Sequence, residues 1–88
     1  MIRVVMEMEL VYPYKRSMPI LVEFCYLWDC TIMKGSTKRI KAIISMPSHH
    51  FKKIFGTDPK KKEYPIPRGM ERFIDKIKVK KILVWENK

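Results

Sequence analysis

Residues 2–12 read IRVVMEMELVY and give the clearest structural signal in the chain. Apolar residues occupy every second position: Ile2, Val4, Met6, Met8, Leu10 and Tyr12. The residues between them include the charged Arg3, Glu7 and Glu9. A period of two places apolar side chains on one face of a strand and polar ones on the other. The chain therefore opens with a half-buried strand, which Pro13 ends.

The next apolar run, residues 20–33, reads ILVEFCYLWDCTIM. β-Branched and aromatic residues alternate along it: Ile20, Val22, Phe24, Tyr26, Trp28 and Ile32. This composition predicts a long central strand. Gly35-Ser36 then favours a tight hairpin turn. Alternating residues 39–46 predict a third strand, antiparallel to the second.

Two short helices are expected in the second half. Ser45 or Ser48 can cap the first helix, with Pro47 in its first turn. Its buried stripe would be Phe51, Ile54 and Phe55, and Gly56 would end it. A second helix is expected after Pro67, with a stripe formed by Met70, Phe73, Ile74 and Ile77. Residues 79–85 close the chain as a strand.

The predicted element order is β-β-β-α-α-β, with strands first and helices late. This order is typical of an α+β fold with a mainly antiparallel sheet of about four strands. The two short helices would cover one face of that sheet. A chain of 88 residues is the right size for one small domain, so residues 1–88 are expected to form a single unit.

Cys25 and Cys30 both lie in the expected second strand. Five residues of strand separate them by about 16 Å and point them to opposite faces. A disulfide requires Cα atoms within about 7 Å, so the sequence predicts two free thiols and a reducing compartment. Neither a signal peptide nor a membrane helix of about 20 apolar residues is expected. We therefore expect a soluble, cytoplasmic protein that does not enter a membrane.

Positive charge is concentrated in the second half of the chain, whose total formal net charge is +10. Residues 1–33 carry three basic and four acidic side chains, whereas residues 34–88 carry sixteen basic and five acidic ones. Such an excess favours polyanionic partners, although lysines also serve solubility alone. The candidate phosphate contacts are Lys38, Arg39, Lys41, Lys52, Lys53, Lys60, Lys61 and Lys62, and Tyr64 is a candidate platform for base stacking.

His49 and His50 are the only histidines and lie near the expected start of a helix. They could contact a phosphate or act in acid–base chemistry, or they could be two solvated polar residues. The sequence has no metal-binding spacing, no phosphate-binding loop and no cofactor fingerprint. The leading hypothesis is therefore a non-enzymatic module that binds nucleic acid, either DNA or RNA. The alternative is a protein-interaction module such as a small inhibitor or adaptor, with an acidic partner. The remote alternative is a small ribonuclease that uses His49 or His50.

Overall fold

A computed structural model describes residues 2–35 and 41–84 of the chain. Its elements are β1 (Ile2–Leu10), α1 (Tyr14–Trp28), β2 (Thr31–Gly35), β3 (Lys41–Pro47), α2 (Ser48–Phe55), β4 (Glu63–Tyr64) and β5 (Ile74–Val84). The strands of this part of the chain form one sheet in the order β2-β3-β1-β5-β4, and every neighbouring pair is antiparallel. The predicted α+β class is confirmed, with five strands instead of about four.

The connections place both helices on one side of the sheet. Helix α1 joins β1 to β2 while β3 lies between them, and the path through α2 joins β3 to β5 while β1 lies between them. These are two interlocked split β-α-β units. Buried side chains of α1 and α2 join the inward residues of the strands in one core. The opposite face of the sheet is left uncovered by either helix.

The core is built on the alternation predicted for the first strand. Val4, Met6, Met8 and Leu10 of β1 are all fully buried. Phe51 of α2 is also fully buried, and its ring meets that of Tyr64 edge-on at 4.9 Å between centroids. The predicted helix over residues 48–55 is therefore confirmed, and it ends at Gly56 with a positive φ of 75°.

The capping prediction for α2 is wrong. Pro47 occupies the N-cap position, and no side chain caps the helix. The hydroxyl oxygen of Ser45 instead accepts a hydrogen bond from Nε of Arg3, at 2.8 Å. Ser45 thus joins two strands rather than starting a helix.

The prediction of a strand over residues 20–33 is wrong, because residues 14–28 form α1. The buried residues of this helix are Ser17, Leu21, Phe24 and Cys25, which recur at intervals of three or four. The outward residues are apolar too, so the helical period is hidden in the sequence. Asp29 ends the helix in the left-handed conformation at φ 53°, and β2 follows.

The prediction of a second helix after Pro67 is also wrong. Residues from Pro67 to Phe73 form turns, and Ile74 and Ile77 both belong to β5. Leu10 pairs with Ile74 and Glu9 with Lys76, so Asp75 is an extra residue on β5. Because of this bulge, Ile74 and Ile77 lie on the same face of the sheet although they are three positions apart. A spacing of three is also typical of one face of a helix, so the sequence pattern resembles that of a helix.

Candidate functional site

One row of exposed residues along α1 is apolar. Met18, Val22 and Tyr26 follow each other at intervals of four residues, which aligns them along one side of the helix. Their exposed fractions are 43%, 51% and 87%. We call these three residues the α1 stripe. Among large apolar side chains with described exposure, Tyr26 is the most exposed.

The inward side of α1 explains why the stripe faces outward. Leu21, Phe24 and Cys25 pack into the core, and the buried Ser17 hydroxyl donates to the carbonyl of Tyr12 at 3.1 Å. These contacts fix the rotation of the helix about its axis. Only three of its fifteen residues carry charge: Lys15, Arg16 and Glu23. A surface helix normally presents polar residues to water, so α1 departs from the ordinary pattern.

A groove of about 480 Å³ lies between α1, α2 and the turn before β5. Its lining includes the buried or half-buried apolar side chains of Phe24, Ile54 and Met70. Leu27, which is 67% exposed, also lines the groove and adjoins Tyr26 in the chain. Because consecutive helix residues diverge by about 100°, the stripe and Leu27 lie on different sides of α1, and Tyr26 is the stripe residue nearest to the groove.

Charged side chains flank this groove unevenly. Glu23 of α1 lines it, while Lys53 of α2 and Arg68 of the turn before β5 line it as well, and all three are exposed. Lys53 and Arg68 have no salt bridge within the described ranges. The groove thus combines apolar lining with two available cations.

Lys52, Lys53, Lys60, Lys61 and Lys62 are all exposed, as phosphate contacts require. Nζ of Lys52 lies 3.9 Å from the carboxylate of Asp58. Asp58 lies in the same loop as Lys60, Lys61 and Lys62. Nζ of Lys62 lies 5.1 Å from the ring centroid of Tyr64. We call these five lysines the basic end. Lys38 and Arg39 lie outside the described residues.

Tyr64 is not placed as a stacking platform. Its side chain is 5% exposed and packs against Phe51 and Phe55. Its hydroxyl accepts a hydrogen bond from the backbone N–H of Lys60 at 2.7 Å and donates to the carbonyl of Asp58 at 3.4 Å. The ring therefore anchors the lysine loop to the core, and neither of its faces is open to a base.

Lys41 lies on the uncovered face of the sheet, apart from the basic end. Its Nζ is 3.8 Å from Glu7, whose other carboxylate oxygen is 3.5 Å from Nζ of Lys80. Glu9 pairs in register with Lys41 and Lys76 on the flanking strands. Acidic and basic side chains therefore alternate on this face. The nearby carboxylates reduce the positive potential around Lys41, which makes it a poor phosphate contact.

The two histidines lie at the start of α2. Nδ1 of His50 is 2.7 Å from the carbonyl oxygen of Trp28, to which it donates in the matching tautomer. The His49 ring packs edge-on against the His50 ring at 4.1 Å between centroids. His50 thus links α2 to the end of α1. In residues 2–35 and 41–84 no cluster of three or more histidine, cysteine or acidic side chains could hold a metal ion.

Sequence reasoning missed Arg3, which joins three elements. Besides Ser45 Oγ, its guanidinium donates to the carbonyls of Ser45 at 3.0 Å and Asp29 at 3.2 Å. It also missed the α1 stripe, because the sequence predicts that Val22 and Tyr26 lie in a long central strand. Apolar residues at positions 18, 22 and 26 were the signal in the sequence that could have revealed the stripe.

Comparison with protein-family models, with curated proteins and with solved structures finds no match to this chain. The function must therefore be argued from its own residues. Within the part of the chain that the structure covers, no helix has the length and apolar character needed to span a bilayer.

Proposed function

We propose that this chain is a non-enzymatic protein-binding module whose groove, together with the exposed apolar side chains of α1, docks an acidic, amphipathic segment of another protein. The observation that supports this proposal is the number of large apolar side chains that α1 exposes to water, namely Met18, Val22, Tyr26 and Leu27. Grouped apolar side chains on a small domain are typical of an interaction surface.

The composition of the surface fits a protein partner. Tyr and Met are enriched at the centres of protein interfaces, and the stripe contains Tyr26 and Met18. Burying a Val or Met side chain completely contributes about 1.5–3 kcal/mol, before the cost of association is subtracted. A few such anchors, with Leu27 and the groove, are enough for a transient complex.

Charge indicates the chemistry of the partner. Lys53 and Arg68 beside the groove, on a chain of net charge +10, favour carboxylates next to the docked apolar residues. An amphipathic helix with apolar anchors at i, i+3, i+4 and i+7 and glutamates along its edges meets both requirements. This proposal corresponds to the acidic-partner alternative that the sequence had left open.

The proposal is tested with synthetic peptides of defined pattern. A fluorescent amphipathic peptide with Leu and Phe on one face and Glu on the other should bind with roughly micromolar affinity. A peptide of the same pattern with Lys for Glu, and a scrambled acidic peptide, should bind at least tenfold more weakly. Fluorescence anisotropy at 150 mM salt measures all three.

Substitutions locate the binding surface. Val22→Asp should abolish binding of the acidic peptide because it places a carboxylate in the apolar stripe, and Lys53→Glu should weaken it. Lys81→Glu is the matched control, since Lys81 is exposed on β5 and does not line the groove. Unchanged affinity in Val22→Asp, or equal losses in Lys53→Glu and Lys81→Glu, would contradict the proposal.

A second candidate function is nucleic-acid binding through the basic end. It is supported by one observation: Lys60 and Lys61 are exposed and form no salt bridge with any acidic residue that the structure describes. Each phosphate neutralised on duplex DNA gives a slope of about −0.9 in log K against log salt. Changing Lys60, Lys61 and Lys62 to Ala should flatten the slope by roughly two to three units, because each lysine would release one counterion.

Anisotropy titrations of a duplex oligonucleotide at several salt concentrations measure this slope. Val22→Asp is the control, because the α1 stripe has no part in phosphate contact. A triple variant that keeps the parent slope, or a parent that binds no oligonucleotide at low salt, would rule out the basic end as a nucleic-acid site.

A further inference from the structure

Cys25 and Cys30 lie together where α1 ends, and not on opposite faces of a strand as the sequence analysis expected. Asp29 takes the left-handed conformation, and the N–H of Cys30 donates to the carbonyl of Cys25 at 2.9 Å. This is the long hydrogen bond of a Schellman helix end, which brings the side chains on either side of the turn together.

The same hydrogen bond limits the separation of the two cysteines. At a nitrogen–oxygen distance of 2.9 Å, the covalent bonds on each side add only about 4 Å. The two Cα atoms are therefore at most about 7 Å apart, and the bent path of these bonds brings them closer. Disulfides span Cα separations of about 4.4–6.8 Å, so the backbone permits a disulfide here without being rebuilt.

The thiols also affect each other. A hydrogen bond from Cys30 lowers the pKa of Cys25, although burial acts in the opposite direction. The same contact raises the pKa of Cys30, and burial adds to the rise. Sγ of Cys30 also lies 3.7 Å from the carbonyl oxygen of Trp28, which is the alternative acceptor for its single proton. One thiol therefore ionises more readily while its neighbour keeps its proton.

We propose that Cys25 and Cys30 form a redox modification site that reacts with small-molecule disulfides to give an intramolecular disulfide. One of the two cysteines, as its thiolate, attacks one sulfur of the small disulfide, forms a mixed disulfide and releases one thiol. The other cysteine then loses its proton and attacks the protein sulfur of the mixed disulfide, which releases the second thiol. The protein dithiol loses two electrons and two protons, and the small disulfide is reduced to two thiols.

The position of this site connects it to the groove. Leu27 and Trp28, which line the groove, lie between the two cysteines in the chain. Cys30 is half-buried and Cys25 is buried, so Cys30 gives the pair its contact with solvent. A disulfide would tie the last turn of α1 to the residue just before β2 and fix the backbone that carries Leu27.

The test uses glutathione disulfide as oxidant and intact-mass measurement after blocking free thiols with N-ethylmaleimide. The folded parent should lose two hydrogens and carry neither glutathione nor maleimide. Cys25→Ser and Cys30→Ser, each checked for folding by circular dichroism, should instead carry one glutathione on the remaining cysteine. A parent with two glutathiones, or with two maleimides and no disulfide, would overturn the proposal.

Denaturant provides the matched control for spacing. Only four residues lie between the two cysteines, so their thiols can also meet in an unfolded chain. The reaction is therefore repeated in 8 M urea. The ratio of intramolecular disulfide to mixed disulfide should fall at least about tenfold there, because the folded helix end raises the effective concentration of one thiol at the other. An equal ratio in both conditions would show that sequence spacing alone accounts for the reaction.

Discussion

Tyr64 shows how one residue can lead to two opposite interpretations. Next to a run of lysines it suggests base stacking, yet its ring lies in the core and its hydroxyl holds the loop that carries Lys60. Its position in the sequence could not decide between these roles. The decision depends on Phe51 and Phe55, which form the pocket for its ring and come from a different element.

The burial of Tyr64 gives a prediction. Tyr64→Phe should lower the free energy of unfolding by about 0.5–1.5 kcal/mol, because the N–H of Lys60 loses its partner while the ring stays packed. Affinity for single-stranded oligonucleotides should not change. Urea denaturation and anisotropy measure the two effects. Unchanged stability together with lost oligonucleotide binding would mean that the hydroxyl contacts the nucleic acid instead of holding the loop.

The sequence predicts the type of a helix or strand correctly where one of its faces is buried and the other is exposed. β1, β3 and α2 were found because one side of each is apolar and the other polar, as in β1, where buried Met6 and Met8 flank Glu7. α1 was missed because its outer residues Val22 and Tyr26 are as apolar as its inner ones. The feature that hid the helix from sequence analysis is the one that supports the proposed docking face.

β5 was misassigned for a different reason. The bulge at Asp75 depends on the register in which β5 pairs with β1. That register cannot be read from the sequence of β5 alone. Residues 70, 73, 74 and 77 therefore match a helical period by coincidence. For the candidate site, the sequence proposed the five lysines of the basic end as phosphate contacts, and all five are exposed. It could not place Lys41 on the opposite face beside Glu7.

Pro19 lies within α1 and gives a prediction for this element. A proline there cannot donate a backbone hydrogen bond to the carbonyl of Lys15. Because Pro19 is exposed, Pro19→Ala should raise the free energy of unfolding by about 1–3 kcal/mol. Met18→Ala, at the neighbouring exposed position, should change it by less than about 0.5 kcal/mol.

Thermal and urea melts of both variants measure this difference. A loss of stability in Pro19→Ala would show that the proline ring makes packing contacts that outweigh the missing hydrogen bond.

At the scale of the whole molecule, the two sides of the sheet have different chemistry. The helix side presents the α1 stripe, the groove and the basic end, whereas the uncovered side presents alternating Glu and Lys. Opposite charges in register satisfy one another across neighbouring strands on the uncovered side. The helix side exposes apolar surface, and removing that surface from water on binding is favourable. We therefore place the binding surface on the helix side.

Locating a bound peptide on the protein separates the proposed docking surface from the rest of the molecule. ¹⁵N-labelled protein is titrated with the acidic amphipathic peptide and followed by amide chemical shifts. The largest changes should fall on the amides of Met18, Val22, Tyr26, Lys53 and Arg68, with none on β1 residues of the uncovered face. Changes centred on Glu9 and Lys76, or no changes at peptide excess, would contradict the proposed docking surface.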